Sequence, residues 1–87
     1  MVRTEAAAVL GNLAYKPAVP YLVELLNNPT SGETRKAAAL SLMKIGSHSA
    51  LVLLQTAWEQ ESEADIKQII KLAITQLERQ SSENYWE

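Results

Sequence analysis

The chain has 87 residues, 47% of them apolar, no cysteine and a net charge of −2. That length allows one small domain with a thin core; the missing cysteines exclude disulfides, thiolate zinc sites and thiol nucleophiles. The charge is uneven, with five Lys/Arg against three acids in residues 1–46 and three against seven in 47–87. Phe is absent, and Ala, Leu and Ile supply most of the apolar volume, which suits close-packed helices better than a β-sandwich. No apolar run nears the roughly 20 residues of a membrane span, and the start lacks a signal-peptide pattern. A cytoplasmic protein is the expectation.

Val2, Ala6, Val9, Leu10 and Leu13 mark one face of a first helix. Lys16-Pro17 breaks it, because proline restricts its predecessor and suits a helix start. A second helix follows with Val19, Leu22, Val23, Leu25 and Leu26, and Pro20 falls in its first turn, where the lost N–H costs nothing. Asn27-Asn28-Pro29-Thr30-Ser31-Gly32 is a turn, with Thr30 or Ser31 as the cap of a third helix. That helix ends at Gly46, a suitable left-handed residue. Two more are expected over 49–60 and 63–80, making five helices and no strands, with 81–87 as a tail beyond the repeat domain of residues 1–80.

The segments repeat. A shift of 32 residues, without a gap, carries Arg3 onto Arg35, Ala6 onto Ala38, Leu10 onto Leu42 and Leu13 onto Ile45. A second shift carries Arg35 onto Lys67, Leu42 onto Ile74 and Ile45 onto Leu77. The spacer helices align too, Leu22 on Leu54 and Leu26 on Trp58. Helical hairpins repeating at this period stack into an all-α solenoid, here an α–α superhelix of about two and a half repeats.

Val2-Arg3-x-x-Ala6-Ala7-x-x-Leu10-Gly11-x-Leu13 followed by Pro17-Ala18-Val19-Pro20-x-Leu22-x-x-Leu25-Leu26 resembles the HEAT-like repeat of the phycobilisome-lyase type, as does Thr34-Arg35-x-x-Ala38-Ala39-x-x-Leu42-x-x-Ile45-Gly46. The third copy keeps Ile66-Lys67 and the apolar spacing. The resemblance covers about residues 2–80. It implies a protein-binding scaffold without catalysis of its own; in some relatives longer arrays help to attach bilins to phycobiliproteins, so an accessory subunit of a bilin lyase or phycobilisome-processing complex is the alternative. It also implies a structural ladder at Arg3, Arg35 and Lys67, whose side chains bond the preceding turn and the neighbouring repeat. By the family's convention the chain starts on the second helix of a pair.

Position-by-position comparison of the copies separates the two ends. The row facing the next repeat reads Ala7, Gly11, Ala14, then Ala39, Met43, Gly46, then Lys71, Thr75, Glu78. The last set is polar, as a terminal cap requires. The N-terminus has no such change, and Val2, Ala6, Val9 and Leu10 would lack the helix they normally pack on, which leaves three expectations for that open end: upstream repeats, another protein, or a second copy of the chain. A second row, Ala37, Leu40, Ile69 and Leu72 edged by Lys36, Lys44 and Lys71, makes either an apolar strip for a partner protein or packing against the paired helices. Tyr85 and Trp86 are candidate interface anchors, and Trp58 reads as core.

Nothing in the sequence amounts to a reaction centre. His48 lies beside Ser47 and Ser49 with no acid nearby in sequence. The acids Glu59, Glu61, Glu63 and Asp65 lack the order and glycine of a calcium loop and complement a helix N-terminus. No metal or cofactor is expected, and Arg3, Lys36 and Lys44 make too short a basic stripe for nucleic acid.

Overall fold

The computed structural model describes the backbone of residues 2–29 and 31–85 and the side chains of residues 4–29 and 31–80. Within them lie five α-helices and no strand: α1 Val2–Asn12, α2 Val19–Leu26, α3 Gly32–Ile45, α4 Leu51–Gln60 and α5 Ala64–Tyr85. α2 folds back on α3 and α4 on α5, forming two hairpins. α1, α3 and α5 stack side by side in one layer, with α2 and α4 in the other, in a body of 41 × 26 × 17 Å. This is the all-α repeat architecture that the 32-residue period predicts.

Local chemistry sets the boundaries. Ser31 is extended (φ −132°, ψ 109°) and its hydroxyl accepts a bond from the Thr34 N–H, so Ser31 is the cap of α3. Gly46 closes the helix at φ 74°. The equivalent residue after α1 is Ala14, at φ 52°, where the Tyr15 N–H reaches Leu10 O and the Ala14 N–H reaches Gly11 O. These are the paired bonds of a Schellman ending. Alanine in that region costs about 1–2 kcal/mol that glycine avoids. Both spacer helices are entered through a single 3₁₀ turn, Lys16–Ala18 and His48–Ala50, 32 residues apart.

The last helix is longer than its expected end at 80. Its backbone continues through residues 81–85, where Ser81-Ser82-Glu83-Asn84 holds neither proline nor glycine to stop it.

The core runs the length of the stack. Leu22 and Leu26 of α2, Leu42 of α3, Leu54 of α4, and Ile70 and Leu77 of α5 are fully buried; each such side chain contributes about 1.5–3 kcal/mol. Ala7, Ala38, Ala39 and Ala73 are equally buried, and their small size lets the stacked helices approach closely. Gly11 is the extreme case. A Cβ there would lie 2.5 Å from Ser41 Oγ and 2.7 Å from Ser41 Cα. Ser41, itself buried, donates a 2.6 Å hydrogen bond to the Ala7 carbonyl. Its hydroxyl therefore costs no unsatisfied burial and pins the register of α1 on α3.

Candidate interaction surfaces

Arg35 sits where the two hairpins meet. Its Nη1 donates to the Asn28 carbonyl (2.8 Å) in the preceding turn. Nε and Nη2 grip Glu61 at 2.7 and 3.0 Å, and Nη2 also reaches Glu63 at 2.8 Å. Such two-point guanidinium–carboxylate contacts are the stronger and more directional ion pairs. Glu61 is nearly buried and Glu63 is open to solvent. Hydrogen bonds from Arg35 hold the Glu61 carboxyl below the usual range, outweighing the burial that pushes it up. The bond to Glu61 likewise raises Arg35 against its own desolvation. An open cleft of about 400 Å³, lined by Asn28, Arg35, Gln60 and Glu61 among others, runs along this junction.

The sequence assigned Glu61 and Glu63 to a helix dipole, and their shared partner went unseen. Arg35 lies 26 and 28 residues away, a distance that only the stacking of hairpins closes. A signal did exist, because the 32-residue shift places Glu61 on Pro29 and Glu63 on Ser31, so the acids are new in the later copy.

Lys67, at the third ladder position, lies over Trp58, its Nζ 4.4 Å from the ring centre, with Lys71 at 5.4 Å. Trp58 is half-buried against the core, whereas its counterpart Leu26 is wholly buried. The lysines thus roof the aromatic where a further repeat would cover it. Lys71, Thr75 and Glu78 are all exposed on the same end. The side chain of Arg3 lies outside the described residues.

The row Ala37, Leu40, Ile69 and Leu72 divides. Ala37 and Ile69 pack against the core and Leu40 is half-buried, while Leu72 is 44% exposed. Lys36 is half-buried; Lys44 is exposed and donates to Asn12 Oδ1 at 2.8 Å, tying α3 to α1. Lys71, expected to edge this row, faces Trp58 on the end of the stack. The side chain of Tyr85 and all of Trp86 lie outside the described residues.

At the other end, Val9 and Leu13 of α1 are 53% and 70% exposed. The residues one repeat later, Ser41 and Ile45, are 2% and 6% exposed, because α1 and α2 cover them. Tyr15 and Tyr21 are exposed nearby in sequence. His48 is exposed, with Ser47 and Ser49 bonded hydroxyl to hydroxyl at 2.9 Å. No cluster of metal-ligating residues occurs among the described residues, and none of their helices is long and apolar enough to cross a membrane.

A layered stack of helical hairpins, held by a small-residue row and a basic residue clamped between repeats, defines an α-solenoid. Residues 1–75 match the HEAT repeats family, and the chain belongs to it. No curated protein and no solved structure matches.

Proposed function

We propose that the chain is a non-catalytic protein-binding scaffold of the cytoplasm that receives a segment of another protein along the row formed by Leu40 and Leu72. The family supports the general role, since HEAT repeats commonly serve as protein-interaction scaffolds. The observation that carries the specific reading is Leu72, a large apolar side chain 44% exposed on a well-packed helix, in one row with half-buried Leu40. Apolar surface of this kind, edged by Lys36 and Lys44, suits a partner with apolar anchors and acidic flanks. Tyr85 and Trp86, read from the sequence as aromatic anchors, are proposed as further contacts for the same partner. Ala37 and Ile69 serve mainly the fold.

The test is cross-linking of the full chain to its partner in extract, with mass spectrometry of the linked peptides. Cross-links through Lys36 and Lys44 that disappear in Leu72→Asp, while helix content stays unchanged, support the reading. Retention of the same links in Leu72→Asp contradicts it. The alternative, service to a bilin lyase or phycobilisome-processing complex, rests on the Arg35-x-x-Ala38-Ala39 type of spacing. Visible absorbance gained on mixing the chain with a free bilin, and lost in the same variant, favours that reading.

A further inference from the structure

The open face of α1 has two properties that together specify an occupant. First, Ala6, Val9 and Leu13 follow one another at spacings of three and four residues along it, the seam of a two-helix pair. A twofold axis midway between Ala6 and Val9 sets Ala6 of each copy against Val9 of the other, small against large. Leu13 then reaches over the first turn of the opposite helix. Second, the seam has a charged flank. Glu5 and Asn12 lie on the same side of it, both exposed. In an antiparallel pair such same-side residues meet, so Glu5 approaches Asn12 of the second copy and, with it, the Lys44 Nζ held 2.8 Å from Asn12 Oδ1. The symmetry makes this acid–base contact twice.

The opposite end rules out an open-ended chain of copies. Stacking in the repeat register requires the arriving row to be as small as Ala7 and Gly11, since even one Cβ at Gly11 would collide with Ser41. The corresponding row of α5 offers Lys71, Thr75 and Glu78. Lysine and threonine there keep α5 from seating on Val9 and Leu13 of another copy.

We propose that this protein forms a closed, head-to-head dimer in which α1 pairs antiparallel with α1 of a second copy through Ala6, Val9 and Leu13, latched by Glu5 against Lys44. The contact leaves Leu40 and Leu72 of both copies available to partners. One helix pair is a small contact beside the roughly 1,600 Å² of a standard interface, so a weak, concentration-dependent dimer is expected.

Sedimentation equilibrium of the full chain from about 1 to 500 μM tests this. The mass should rise from 9.6 kDa toward twice that value and stop. Leu13→Glu, at an exposed site, should hold the chain monomeric with unchanged helix content. Glu5→Lys and Lys44→Glu should each weaken association by roughly tenfold, a loss typical of a specific charge pair, and their combination should restore it. A monomer at every concentration, masses growing past the dimer, or a double variant no tighter than the singles would each overturn the proposal.

Discussion

At the C-terminal end of the stack, α5 presents Lys71, Thr75 and Glu78, and the aromatic that a further repeat would bury is roofed by Lys67. At the N-terminal end, α1 presents Val9 and Leu13. The two surfaces derive from the same repeat, yet one is finished against water and the other is not. They are opposite faces of it: Lys71, Thr75 and Glu78 stand in the row of Ala7, Gly11 and Ala14, whereas Val9 and Leu13 stand in that of Ser41 and Ile45, and Arg35, Ser41 and the buried alanines hold the layers together in between. Polar residues in the outward row of α5 thus finish one face of the repeat against water, whereas the opposite face of the repeat, outermost on α1, carries Val9 and Leu13.

The interface between α1 and α3 is the place to break the comparison. Gly11→Ala should destabilise the chain by about 2–3 kcal/mol in urea unfolding, because its Cβ meets Ser41 backbone that cannot yield cheaply. That is a large share of the roughly 4–13 kcal/mol expected for a domain this size. Thr75→Ala, the same row at the finished end, should change stability by less than about 0.5 kcal/mol.

Removing the clamp between hairpins should come next. Arg35→Ala leaves the nearly buried Glu61 carboxylate without its partner and should cost about 2–3 kcal/mol. The pair also gives stability a pH dependence of fixed sign. The folded Glu61 pKa is depressed, so its stabilisation is complete above the unfolded carboxylate range, near pH 4.5, and drains away as pH falls through the lower folded value. Unfolding midpoints of the Glu61→Gln variant should therefore fall less between pH 6 and pH 3 than those of the parent chain.

Smaller effects sharpen the account. Ala14→Gly should raise stability by about 1 kcal/mol, read as an increased melting temperature, because the residue is exposed and sits at positive φ. Gly46→Ala at the matching position should lower it by a similar amount, since its φ is also positive. Lys67→Ala should cost about 0.5–1 kcal/mol by uncovering Trp58, visible also as a change in tryptophan fluorescence.

The sequence carried the helices, their turns and the stacking register in plain view, because proline, glycine and apolar spacing act locally and a gapless repeat multiplies the signal. Gly46 could be read as a helix end for that reason. Ala14 could not: alanine carries no mark of a left-handed site, and only its alignment with Gly46 hinted at one. The 3₁₀ entries at Lys16–Ala18 and His48–Ala50 had no signature of their own, as a single tighter turn leaves no periodicity. Ser41 lies at a core position and looks out of place until the Ala7 carbonyl comes within reach. The clamp of Arg35 on Glu61 and the inward packing of Ala37 and Ile69 depend on which helices become neighbours, which local patterns do not encode. The exposed faces of the two ends were legible only in part from the comparison of copies: Val9 is open as expected, whereas Leu10 lies against the core and Leu13 is open instead.

Hydrogen exchange followed helix by helix, on dilute protein, tests the contrast between the ends most directly. α1 is held on one side, chiefly by α3, while α3 is enclosed by α1, α2 and α5. The amides of α1 should exchange through a local opening, at least about tenfold faster than those of α3, and should slow as the protein is concentrated. Uniform protection of α1, α3 and α5, unchanged by concentration, would contradict an open N-terminal end.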